Sequence, residues 1–359
     1  MSRKLLHPST VTALCAALLM ALMAFYPASV LASSLRGLSI WWEVLFPALF
    51  PFFVLSELML GLGIVHFAGK LLDPVMRPVF RIPGSGGFVL AMGYLSGYPV
   101  GARLASQLWD QKLISRVEGE RLVAVTTTSD PIFLIGAVSV GFFHQAAIAP
   151  VLAAAHYGSS LAIGFLMRWH GRGEAEEAAP EPMLPRRNSS ARKRGGIVSA
   201  LKAMHEARLL DGRPFSVLVR DAVQSGLRLM IVVGGLVVVF SVLMELLRET
   251  SLLGLLEAGL GLVFEAFGGS ASSAAPVISG LFEVTLGAKA SSEASLALLH
   301  RTALAAWVLS WAGLSVHAQI ASLVSHTGMR YRPFLLARFL HGLLAAGMVY
   351  ALWGWIGPG

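Results

Sequence analysis

Three sets of polar residues sit inside otherwise apolar stretches of this chain, and each carries side chains able to hold a solute or an ion. Ser96, Tyr98 and Arg103 lie in residues 82–108, IPGSGGFVLAMGYLSGYPVGARLASQL. Thr126, Thr127, Thr128, Ser129 and Asp130 interrupt residues 122–143, and Ser279, Glu283, Thr285 and Lys289 fall in residues 270–292, SASSAAPVISGLFEVTLGAKASS. A charge in an apolar segment is costly to bury, so it marks a cavity or a partner. If Arg103 and Lys289 face a common centre, they and the nearby half-helix N-termini suit an anion with separated negative groups. The plainer alternative is that each snorkels to its own surface. Thr127, Thr128 and Ser129, with the Asp130 carboxylate, can bind substrate or a coupling cation, because hard cations take oxygen ligands; alternatively the hydroxyls only satisfy a broken backbone. Asp130 and Glu57 are the candidate groups for a coupling H+ or Na+, with Glu57 equally suited to neutralise a buried base. His156 and His317 read as hydrogen bonders between helices.

These residues have to be positioned within a bilayer. Of 359 residues, 55% are hydrophobic and 13% charged, and the mean hydropathy is +0.69, whereas soluble domains have about 25% charged residues. The formal charge of +8 collects in short loops between apolar runs, the positive-inside pattern, so the expected partner is lipid and not nucleic acid. Cys15 is the single cysteine, which excludes an intrachain disulfide and a Cys-rich metal site. No cofactor is expected.

Residues 11–32 read as a first transmembrane helix or as a signal sequence cut after Ala32. Residues 38–62 make a span, and 64–81 an amphipathic surface helix. Gly93, Gly97, Pro99 and Gly101 forbid one helix through 82–108, which reads as two half-helices with an opened tip at 96–99. Pro131 disfavours helix at Asp130 and places an unwound point inside 122–143; residues 146–169 return. The charged, Pro-containing residues 170–213 form a flexible cytoplasmic linker. The second half repeats the order: a span at 226–247, an amphipathic stretch at 251–267, an interrupted segment at 270–292, and spans at 300–324 and 334–356. Val100-Gly101-Ala102-Arg103 is echoed by Leu286-Gly287-Ala288-Lys289. The expected fold is an all-α polytopic membrane protein: an inverted repeat (36–169 and 214–359, after an N-terminal segment 1–35) with two re-entrant hairpins and about seven transmembrane helices. Such a plan places a solute site near the midplane. Association into a homo-oligomer is left open.

No HExxH, GxxxxGK[ST] or GxSxG pattern occurs, so an enzyme is not expected. Residues 93–138, GYLSGYPVGARLASQLWDQKLISRVEGERLVAVTTTSDPIFLIGAV, resemble the YlbJ or SpoVV family of sporulation integral membrane proteins. The likeness lies in the SGYP-x-GA-[KR] run, a basic loop with an E-x-E-R-like element, and a T/S-rich break before a glycine-containing span; beyond that block, 41–354 agree in hydropathy. The resemblance implies a nucleoside-recognition or gate-domain architecture, similar in plan to concentrative nucleoside transporters. It also implies transport of dipicolinic acid into the forespore across the outer forespore membrane. That aromatic dianion suits a pair of basic groups, with Tyr98 able to stack on its ring. An ion-coupled carrier of nucleosides or other solutes, and a structural membrane protein of spore assembly, are the alternatives. Asp130 departs from the Gly or Ser usual at its position, and would repel a dianion unless protonated or cation-bound.

Overall fold

The computed structural model describes residues 8–172 and 196–358, and among them only helices and their connections occur. Most of residues 170–213, the expected linker, thus lies outside the described residues. Helix α1 (Pro8–Phe25) turns by 103° into α2 (Pro27–Ser39). The apolar run at 11–32 is therefore two helices rather than one span, because Pro27 has no N–H to continue the ladder. A π turn (Ile40–Leu45) carries α2 straight into α3 (Phe46–Gly61). Pro47 cannot donate to the carbonyl of Glu43, and the widened turn absorbs the clash. The chain bends by 82° into amphipathic α4 (Ile64–Phe80). Two half-helices follow, α5 (Ser85–Ser96) and α6 (Tyr98–Asp110), parted at Gly97, where the glycines and Pro99 place the tip.

Helix α7 (Arg116–Thr126) stops before the polar run. After Pro131 the chain resumes as an 11-residue π-helix, Ile132–Phe142, and α8 (Ala149–Met167) returns. The described end of the expected linker is helical, α9 (Ile197–Asp211), and the second half comprises the 35-residue α10 (Phe215–Glu249), α11 (Leu252–Ala266), α12 (Ala274–Phe282) and α13 (Val284–Glu293). It ends with α14 (Leu298–Trp311), α15 (Gly313–Val324) and α16 (Tyr331–Ile356). The span expected at 300–324 is found as Leu298–Val324, with α14 and α15 parted at Ala312 and Gly313, where φ is 76° and 75°. Among the described residues, four helices are long and apolar enough to cross a bilayer, or six when each bent pair counts as one. The expected seven is not reached, since 132–142 is too short by itself to cross about 30 Å of hydrocarbon.

The rod formed by α2 and α3 lies antiparallel to α10. Arg36 bonds Glu245 at 2.6 Å, Trp41 Nε1 donates to the Met230 carbonyl at 2.9 Å, and Ser225 Oγ donates to Glu57 at 2.6 Å. Behind it, α16 packs on α8 and α14. Its other face leaves Leu336, Phe339 and Leu343 exposed, at the i, i+3, i+7 spacing of one apolar stripe, as lipid contact requires. Basic residues gather at one end of the bundle. There Arg121 bonds the carbonyls of Arg81 and His170, and the buried Glu120 accepts from Arg330 and His170.

Candidate functional site

The helix breaks meet. Gly97 has φ 84° and ψ −173°, backbone that only glycine adopts without strain; a Cβ there would stand 3.1 Å from Asp130 Oδ2. The tip of the first hairpin thus rests on the break after α7. Gly313 likewise brings the α14–α15 break against the second hairpin, where a Cβ would lie 3.0 Å from the Phe282 carbonyl and 3.1 Å from Glu283 Cα. Three of the breaks line one cavity of about 240 Å3, through Gly97, Tyr98, Asp130, Glu283 and Thr285, and α15, which starts at the fourth break, adds Ser315 and Gln319.

Two carboxylates hold equivalent posts in its wall. Asp130 Oδ1 accepts from Phe133 N at 2.9 Å, and Glu283 Oε2 accepts from Leu286 N at 2.8 Å. Each satisfies an orphan donor at the start of the next helix, three residues on, which fixes the side chain beside its break. No basic side chain lines this cavity. Its field therefore favours a neutral or cationic solute, or an anion that arrives with its charge compensated.

The remaining sequence candidates divide by position. Ser96 and Thr128 are fully buried, and their hydroxyls have no hydrogen-bond partner among the described residues. Thr127 Oγ1 donates to the Val123 carbonyl at 2.7 Å, the backbone-satisfying role. Ser129 N donates to His156 Nε2 at 3.0 Å, and its carbonyl accepts from Tyr157. Tyr98 reaches the cavity, but its hydroxyl is engaged with the Leu309 carbonyl at 2.9 Å. Ser279 is a turn ahead of the second tip, its carbonyl accepting from Glu283 N. It lines neither this cavity nor the larger one described next.

Arg103 and Glu57 belong to that second, larger cavity of about 590 Å3 at the basic end, between α3, α6, α9 and α10. Glu57 Oε1 accepts from Gln107 Nε2 at 2.5 Å and lies 3.7 Å from Arg103 Nε; Arg103 Nη2 donates to Ser225 at 3.1 Å. Glu57 is thus placed as a counter-ion for a base. Arg213 hydrogen-bonds Asp211 at the rim and holds its carboxyl below the usual range. Lys289 has a 57% exposed side chain 3.9 Å from Glu293, and lines neither cavity. The structure does not bring Arg103 and Lys289 together, because each follows its own tip by more than a turn on a different hairpin.

Behind the breaks lies a polar node that sequence reasoning passed over. Arg338, in α16, is fully buried. Its guanidinium donates to the carbonyls of Ala124 and Thr127, at the end of α7. It also reaches Ser310 O, at the end of α14, at 3.4 Å, and His341 Nδ1 at 2.9 Å. His341 Nε2 then donates to the His156 carbonyl at 2.9 Å. Because His156 Nε2 accepts from Ser129, its Nδ1 carries the proton given to Ser310 Oγ at 2.8 Å. The signal was present: an arginine in an apolar span demands a partner. Here the partners are two helix C-termini, each worth about half a negative charge.

Broken helices around an internal cavity, with apolar faces turned outward, make this a multi-pass helical integral membrane protein. Residues 42–154 and 230–330 match the model of the Gate family, described as nucleoside recognition. Sporulation integral membrane protein YlbJ of Bacillus subtilis (strain 168) is 43% identical over 328 residues, covering 91% of this chain and 78% of that protein. The chain belongs to this family. No solved structure matches it.

Proposed function

We propose that this protein is a membrane carrier of a small solute rather than an enzyme, and that it acts in sporulation, as the name of its Bacillus relative suggests. The observation that carries the reading is the meeting of four helix breaks, two from each half, of which three line one cavity and the fourth packs on the break at Glu283. Irregular backbone within a bilayer is tolerated where it lines such a site. The order of half-helix pair, broken helix and long helix recurs in both halves, and the family match falls in two corresponding segments. Both support an inverted repeat with re-entrant hairpins. The basic end then faces the cytoplasm.

Dipicolinate, crossing the outer forespore membrane, is the substrate that the family resemblance implies. Asp130 and Glu283 require that such a dianion enter with protons or a cation, which makes the two carboxylates the coupling groups. A nucleoside carrier is the second reading, favoured by the wall's lack of basic groups. Purified protein in liposomes distinguishes them. Uptake of labelled dipicolinate that depends on an H+ or Na+ gradient supports the first, and preferential nucleoside uptake the second. Failure to move either class under any gradient would refute the carrier reading for both.

A further inference from the structure

The two cavities are strung along the same helix faces. On α3, Leu49 lines the tip cavity and Glu57 the larger one, with Phe53 between them at i+4 spacing. On α10, Val233 lines the tip cavity and Ser225 the larger one, with Leu229 midway at the same spacing. Phe53 is 2% exposed and Leu229 6%, and both belong to one continuous apolar cluster. The eight residues separating each lining pair span about 12 Å of helix, and no residue lines both cavities. The opposite side differs. A third, smaller cavity of about 120 Å3, reaching the Arg36–Glu245 ion pair, shares Leu45, Val237, Glu283 and Thr285 with the tip cavity. A single layer of shared side chains, two of them the carboxylate of Glu283 and the hydroxyl of Thr285, parts those two.

We infer that Phe53 and Leu229 form the barrier that closes the solute path on its basic side, so that this structure opens the tip cavity toward the opposite face. The inference rests on the carrier reading for its purpose. Its geometry stands independently: an apolar constriction between two cavities that each hold carboxylates excludes water and blocks polar solutes. Arg103 and Gln107, a turn apart on α6, then form the vestibule beneath the barrier.

The test needs no substrate. With Cys15 replaced by Ser, single cysteines report each cavity to a membrane-impermeant thiol reagent: Ala137→Cys in the tip cavity and Gln111→Cys in the larger one. Lys112→Cys fixes which side of the vesicle carries the basic loops. From that side, Gln111→Cys reacts fast and Ala137→Cys slowly; from the other side Ala137→Cys reacts faster. Adding Phe53→Ala or Leu229→Ala raises the basic-side rate at Ala137→Cys by about tenfold or more, with Gln111→Cys unchanged as the control for folding. A fast basic-side reaction at Ala137→Cys in the otherwise unaltered chain, or no acceleration by either substitution while the control holds, overturns the barrier. Labelling as expected without uptake of any solute would instead refute the carrier reading.

Discussion

Replacing Arg338 by Met is the sharpest perturbation this structure offers, because two opposed terms have comparable size. Burying a guanidinium without a carboxylate carries an effective penalty of several kcal/mol, which Met would relieve. Against that, Met leaves the close carbonyls of Ala124 and Thr127 without their donor, at about 1–3 kcal/mol each, and deprives Ser310 O and His341 Nδ1 of theirs. The two helix ends together supply about one negative charge, so the guanidinium is electrostatically matched, and removing it behaves as breaking a buried pair. The expected net loss is about 3–5 kcal/mol. Arg338→Lys keeps the charge, but one ammonium cannot span both helix ends with the reach of the fork, so its loss should fall between the parent and Met. In detergent, the temperature at which half the protein leaves the monodisperse peak on size-exclusion chromatography should drop by about 4–7 °C for Met, and by less for Lys. If Met equals or exceeds the parent, or Lys is worse than Met, then desolvation dominates and the node does not hold the breaks.

Four further outcomes follow from the geometry. Gly97→Ala should cost about 1–3 kcal/mol, read in the same thermal assay, because alanine is strained at φ 84°, ψ −173° and its Cβ presses on Asp130; unchanged stability would argue against this tip conformation. Asp130→Asn and Glu283→Gln should each weaken the dependence of uptake on an ion gradient, and the double variant should abolish it; full gradient dependence in the double variant would remove both as coupling groups. Glu57→Gln should destabilise by about 1–3 kcal/mol through the loss of the charged acceptor for Gln107 and Ser225, and Arg103→Ala introduced on top should recover part of it in a double-mutant cycle. Lys289→Ala should shift stability by no more than about 0.5 kcal/mol and leave uptake intact, since its ion pair with Glu293 is exposed; a loss of uptake with normal abundance would return Lys289 to the site.

The sequence by itself determined two breaks of the first half, but not the bend at Pro27, which lies in a run that reads as one span. Gly97 and Pro131 act through their own dihedrals and missing donors, so their breaks are local events legible from a few neighbouring residues. It likewise placed Asp130 at an opened backbone and amphipathic α4 between span and hairpin. The rest depends on tertiary packing. The interruption expected within 270–292 falls at Glu283, and a further break not legible in the sequence falls at Ala312–Gly313, without any proline at either point; the two breaks pack against each other. Arg103 meets Glu57 instead of Lys289, and Arg338 closes two helix ends more than 180 residues apart. Which side chain neutralises which is settled by the packing of distant helices, and the spacing of residues along one segment carries no record of it.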